Sequence, residues 1–135
     1  MAYDKPLPRP TPLSQPFWDG AREHKLLLQR CQSCGAYRFT PQALCRECYA
    51  EEYEWAETSG RGKVYSYTIV HRPQTLTFMD DVPYVLAVIE LAEGPHMLSN
   101  VVGCAPSDVH IDMPVVVHFE DATDEITLYK FRPAE

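Results

Sequence analysis

Four of the five cysteines in this chain of 135 residues fall between positions 31 and 48, as two CxxC pairs: Cys31 with Cys34, and Cys45 with Cys48. A CxxC turn can point two sulfurs at one tetrahedral ion about 2.3 Å away while backbone N–H groups donate to them. Gly35 follows Cys34, where the turn often needs positive φ. Tyr49 holds the equivalent place after Cys48, which makes the second turn less ideal. The spacing predicts that Cys31, Cys34, Cys45 and Cys48 hold a metal, zinc first and iron as runner-up, because four thiolates suit either ion. Four protein ligands leave no open coordination position. The expected use is therefore structural, folding a segment with too few apolar residues to fold alone.

Other reactive side chains form no convincing set. Cys104 in "VVGCAP" lies between His96 and His110 in sequence, but a small buried hydrophobe is the favoured reading over a Cys–His nucleophile pair. His24, His71, His96, His110 and His118 are scattered, with no HxxxH or HExxH spacing. Asp80–Asp81 and Glu120–Asp121 are adjacent carboxylates, which point to opposite sides of an extended chain. There is no phosphate loop, GxGxxG or GxSxG. The expectation is a protein without an autonomous catalytic centre. Phe17, Trp18, Tyr37 and Phe39 are candidate partner-binding aromatics; the alternative is that they make a small core between helix and ribbon.

The elements that would position these residues are short. Five prolines in the first sixteen residues stiffen an extended arm. Ser14, as N-cap, and Pro16 then open a helix that Gly20 weakens. "KLLLQR" leads into Cys31 as a ribbon strand, and Tyr53 and Trp55 share a face if their segment is also a strand. "SGRG" at 59–62 is a turn or domain joint. Beyond it the residues become β-branched and aromatic. Five strands are expected: "KVYSYTIVHR", with Tyr65, Tyr67 and Ile69 on one face; "YVLAVIELA", apolar on both faces and hence buried; "HMLSNVVG"; "VVVHFED"; and "ITLYKF". Five short strands in a closed sheet is the count of an OB-type barrel, whereas an immunoglobulin-like sandwich wants about seven. "RPQTLTFMDD" is the long loop between the first two, a position where small barrels often carry function. The fold is expected to be mainly β: an N-terminal helical arm over 1–30, a metal ribbon over 31–60 and a five-stranded OB-fold barrel over 61–135.

Charge narrows the partners. The net charge is −7, with +2 over residues 1–30 and −6 from residue 61 onward. A single-stranded nucleic-acid-binding OB module is the alternative reading, with Tyr65 and Tyr67 as stacking platforms, but the acidic barrel argues against phosphate affinity. A one-iron electron carrier is a third. No apolar run is long enough to span a bilayer and the opening residues lack a signal-peptide pattern, so a cytoplasmic protein with metal-bound thiolates is expected.

"PFWDGAREHKLLLQRCQSCGAYRFTPQALCREC", "WAETSGRGKVYSYTIVHR", "YVLAVIELAEGPHMLSNVVG" and "MPVVVHFED" resemble, in order, a bacterial and archaeal family of small acyl-CoA-associated proteins. The likeness covers nearly the whole chain after about Leu13. It implies an N-terminal helical arm, a rubredoxin-like zinc ribbon and a C-terminal OB-fold, with Cys31, Cys34, Cys45 and Cys48 matching the family's ligands one for one. It also implies a non-catalytic accessory subunit of an acyl-CoA thiolase or thiolase-like retro-aldolase complex, in steroid side-chain or aromatic acyl-CoA degradation. The partner would be a thiolase-fold enzyme holding the reacting groups, and the two would contact acyl-CoA jointly. Three departures stand out: "TPQALC" where the family often has two prolines and an arginine, Asp112 where it often has glycine, and Tyr49. Ligand contacts at Gln42 or Asp112 are therefore not carried over.

Overall fold

A computed structural model describes residues 5–73 and 76–134. The single α-helix among them, α1 (Gln15–Arg22), starts at Ser14 with Pro16 in its first turn and buries Phe17, Gly20 and Ala21 on one stripe. Ser14 flanks the helix, but its hydroxyl accepts from the Thr11 N–H rather than capping the first turn. Gly20 costs helix propensity for a packing reason: a Cβ there would meet Leu27 Cγ at 2.6 Å. The helix closes with His24 in the left-handed region (φ 61°), its N–H donating to Ala21 O and that of Lys25 to Gly20 O. This pairing is the Schellman pattern, with histidine where glycine is usual.

The ribbon is a three-stranded antiparallel sheet in the order β2-β1-β3, formed by β1 (Leu27–Cys31), β2 (Tyr37–Arg38) and β3 (Tyr53–Glu57). Its first strand begins ahead of the Cys31 boundary drawn from sequence. Tyr53 and Trp55 do share a face, their rings 6.0 Å apart edge to face.

Five further strands close a barrel in the order β4-β5-β6-β8-β7: β4 (Arg61–Val70), β5 (Tyr84–Leu91), β6 (His96–Val101), β7 (Pro114–Asp121) and β8 (Thr127–Pro133). The pairings are antiparallel except β6 with β8, which meet in parallel through Val101 and Phe131. This is the OB-fold expected from the strand count. Its core holds Val64, Ile89, Val115 and Phe131, all essentially inaccessible, and is continuous with Phe17, Leu26 and Leu28 of the arm and ribbon.

Three sequence expectations need correction. Tyr65 does not share a face with Tyr67, because a bulge between Val64 and Ser66 inserts one residue and reverses the phase. Val64 is buried, Tyr67 and Ile69 pack against the core, and Tyr65 faces outward. β5 is not buried on both faces: Val85, Ala87, Ile89 and Leu91 point into the barrel, while Tyr84, Leu86, Val88 and Glu90 are half-exposed on its outer wall. The "RPQTLTFMDD" loop is not all irregular. Leu76–Asp81 forms a 3-10 helix with no buried residue, and Gln74 and Thr75 lie outside the described residues.

Candidate metal centre

The two CxxC turns are built alike. In the first, Cys31 N–H donates to Ala36 O and Gly35 N–H to Cys31 O; in the second, Cys45 N–H donates to Ala50 O and Tyr49 N–H to Cys45 O. Both end on a left-handed residue, Gly35 at φ 80° and Tyr49 at φ 63°. Tyr49 therefore accepts the conformation its sequence position demands, at a cost of about 1–2 kcal/mol for a residue with a Cβ.

This duplication brings the four sulfurs within 4.8 Å of one another. Cys31 Sγ lies 3.6 Å from Cys48 Sγ, and Cys34 Sγ 3.6 Å from Cys45 Sγ. A tetrahedron with metal–sulfur bonds of about 2.3 Å has edges of about 3.8 Å, so the quartet fits a four-coordinate ion. Such separations are well beyond the roughly 2.05 Å of a disulfide, and all five cysteines are free. Cys31 and Cys45 are buried, whereas Cys34 and Cys48 face solvent.

Electrostatics also favours a cation. The Cys34 backbone N–H pulls the Cys31 thiol down to about 6, and the Cys48 backbone N–H lowers Cys45. For Cys34 the Ala36 N–H pulls downward, but the Cys48 and Cys45 sulfurs together with burial outweigh it and push the thiol up to about 12. Four crowded sulfurs cannot all ionise unaided. A bound divalent ion would supply the charge that lets them be thiolates together.

Side chains that the sequence did not single out brace the ribbon. Gln29, fully buried, donates from Nε2 to Gln42 O at 2.9 Å and accepts from Gln42 N–H at 2.7 Å. Arg38 donates from Nη1 to the same carbonyl and from Nη2 to Ala50 O, holding together the segment that delivers Cys45 and Cys48. The available signal was a polar residue on the inward phase of a short strand. Gln42 thus acts through its backbone, and Asp112 takes the left-handed conformation (φ 66°) in which glycine would be at ease.

The candidate partner-binding aromatics divide. Phe17 is 3% exposed and belongs to the core of this chain. It packs at 5.0 Å from Trp18, 5.8 Å from Phe39 and 5.5 Å from Tyr129 of β8, so helix, ribbon and barrel meet around its ring. Trp18 and Phe39 are half-buried in this cluster, and burial pushes the Tyr129 hydroxyl up to about 12. Tyr37 stands apart from them, half-buried beneath the Arg30 guanidinium at 5.5 Å. Cys104 is partly exposed, and burial raises its thiol, with Asp108 adding to the effect. That direction is opposite to the one an activated nucleophile needs. Among the described residues, no helix is long and apolar enough to cross a membrane.

Comparison with known proteins agrees with this architecture. Residues 18–54 match the ChsH2 rubredoxin-like zinc ribbon domain and residues 55–120 the ChsH2 C-terminal OB-fold domain. The chain is 39% identical over 127 residues to a DUF35 domain-containing scaffold protein of Methanocaldococcus jannaschii, covering 87% of this chain and 89% of that protein. It is 40% identical over 119 residues to a probable enoyl-CoA hydratase alpha subunit of Thermomonospora curvata, covering 87% of this chain and 37% of that longer protein. The benzoylsuccinyl-CoA thiolase subunit BbsA of Thauera aromatica is 32% identical over 110 residues, covering 76% and 72%. A solved chain of the Ltp2-ChsH2(DUF35) aldolase superposes with a TM-score of 0.85 at 36% identity, covering 96% of this chain and 100% of that one. With the metal ribbon and OB barrel in the same order, the chain belongs to the ChsH2/DUF35 family.

Proposed function

We propose that the chain is a non-catalytic accessory subunit of an acyl-CoA thiolase or thiolase-like retro-aldolase complex acting in steroid side-chain or aromatic acyl-CoA degradation. The observation that carries this reading is the likeness along the full length of the ChsH2(DUF35) chain of a solved aldolase. A closed quartet of sulfurs with no place for a substrate supports it. In this reading the ribbon holds zinc through Cys31, Cys34, Cys45 and Cys48 as a staple, iron being the runner-up, and a reducing cytoplasm keeps the thiols free. The partner enzyme carries the reacting groups, and this subunit stabilises it and completes its acyl-CoA site. The Leu76–Asp81 helix, with Leu76 and Met79 exposed, faces the partner or the acyl chain.

The test is co-purification from the native cell with identification of partners by mass spectrometry. A thiolase-fold enzyme whose acyl-CoA turnover falls when this chain is withheld is the expected result. Full turnover of an acyl-CoA thioester by the isolated chain would overturn the reading. A colourless protein holding one zinc per chain is expected; visible absorbance would point to iron. Deuterium exchange at 76–81 should slow on complex formation, and unchanged exchange there would remove that segment from the interface.

A further inference from the structure

The ribbon order β2-β1-β3 leaves β3 (Tyr53–Glu57) at a sheet edge, with a strand neighbour on one side only. Its register with β1, together with Gln32 N–H donating to Glu52 O and Thr58 N–H to Leu26 O, sets the phase of its backbone. In an antiparallel pair, successive residues alternate between bonding the neighbouring strand and turning their N–H and C=O away from it. Glu54 and Ala56 therefore bond β1 opposite Arg30 and Leu28, while Tyr53, Trp55 and Glu57 turn their backbone groups outward. None of those outward groups meets a hydrogen-bond partner among the described residues. The edge is within reach of another chain: Glu54 and Glu57 are exposed, and Tyr53, Trp55 and Ala56 are half-exposed. An unpaired edge of this kind is a template for one further strand.

Charge selects the strand. Glu51, Glu52, Glu54 and Glu57 fringe the edge, all exposed, and none of their carboxylates meets a cation or a donor among the described residues. Arg30, registered opposite Glu54, lies instead over the Tyr37 ring at 5.5 Å. Side chains alternate along a strand, so Glu54 and Glu57 stand on opposite faces, and a basic side chain finds a carboxylate on either. Pairing β3 with a second copy of itself would set carboxylate against carboxylate, which is unfavourable. The edge thus turns away its own kind and favours a cationic strand. Tyr49, four residues before β3, adds an anchor. Its ring is 76% exposed, and neither the ring nor its hydroxyl meets a partner among the described residues. Exposed aromatics beside a docking edge commonly serve as contact points.

We propose that the β3 edge receives an extended, Lys/Arg-rich segment of the partner enzyme as a fourth strand of the ribbon sheet, its main chain bonding Tyr53, Trp55 and Glu57 and its cations meeting Glu54 and Glu57. The inference rests on the accessory-subunit reading and deepens it by naming the surface and the kind of segment it takes. The complex tested is the one formed with the thiolase-fold enzyme identified by co-purification. Amide exchange read residue by residue should slow on assembly at Tyr53, Trp55 and Glu57, where Glu54 and Ala56 are already slow in the free chain. This measurement uses the native chain, so it stands whatever a variant does to folding. Glu54→Lys combined with Glu57→Lys should weaken assembly roughly tenfold at unchanged melting temperature and metal content, and added salt should weaken native assembly. Asp124→Lys combined with Glu125→Lys, an equal change of charge in the β7–β8 turn, should leave affinity at the native level. Tyr49→Gly should weaken assembly without loss of stability, which separates docking from folding. Unchanged exchange at Tyr53 and Trp55 in the complex, native affinity in the Glu54→Lys, Glu57→Lys variant, an equal loss from the β7–β8 pair, or protection of these amides by self-association of the free chain would overturn the edge assignment and leave the accessory role standing. Failure to assemble with any thiolase-fold enzyme would overturn both.

Discussion

Tyr49 shows how one residue carries both a constraint and its cost. The second knuckle requires a left-handed residue after Cys48, and Tyr49 supplies it while leaving its ring 76% exposed. Tyr49→Gly should therefore raise stability by about 0.5–1 kcal/mol, since strain relief outweighs the added freedom of the unfolded chain. Denaturant melts of the metal-loaded protein check this, and a loss of stability would mean that the ring makes a contact worth more than the strain. The four candidate ligands and the demand on residue 49 were legible because both follow from local spacing. Arg38 and Gln29 were not, because their acceptors at Gln42 and Ala50 lie on an irregular segment whose path only the folded ribbon defines. Phe17 looked like a candidate anchor for a similar reason. Nothing local reveals that Tyr129, over a hundred positions later, covers it.

At the scale of elements, close approach decides several positions. A Cβ on Gly62 would lie 2.6 Å from the carbonyl oxygen of Glu90, on the strand paired with it. Gly62→Ala should separate β4 from β5 and destabilise by about 1–3 kcal/mol, read as a lower melting temperature and faster amide exchange in Lys63–Val64. A second junction joins the end of β7 to the start of β8 and to the helix turn. Thr127 donates to Asp121 Oδ1 at 2.7 Å, and His24 Nε2 meets the same oxygen at 3.0 Å while its ring stacks on Phe119. Thr127 first, and then His24, hold the Asp121 carboxyl below its ordinary 3.8. A lowered carboxyl stabilises the fold above its unfolded value, and that contribution disappears as pH falls through the folded value. The melting-temperature advantage of the native protein over Asp121→Asn should therefore be full above the ordinary carboxylate range and shrink as pH falls below it; an advantage that persists undiminished in acid would contradict this. The strands were legible from alternation and turn residues. The bulge at Tyr65 was not, since an extra residue shows only when β4 is set against β5.

Across the whole molecule, one core runs from Phe17 and Leu28 through the barrel to Phe131. The ribbon and barrel are therefore coupled, and the metal should stabilise more than its own knuckles. Stripping it with a strong chelator should melt the ribbon first, seen as loss of near-ultraviolet circular dichroism from Trp18 and Trp55, while the barrel keeps its far-ultraviolet β signal. The barrel should then unfold at a lower temperature, because Tyr129 loses its cover of Phe17, Trp18 and Phe39. An unchanged barrel transition would show the two units to be independent. Acid should act like chelation, since thiolates must take up protons as they release the ion.

The sequence alone determined that four cysteines are spaced to hold a metal ion and that five strands follow, because ligand spacing and period-two alternation are local properties. Tertiary structure decided where those parts meet. It closed the barrel through the parallel contact of Val101 with Phe131, buried Phe17 beneath Tyr129, and set Arg38 across a crevice from Glu93. Each of these joins residues far apart in the chain.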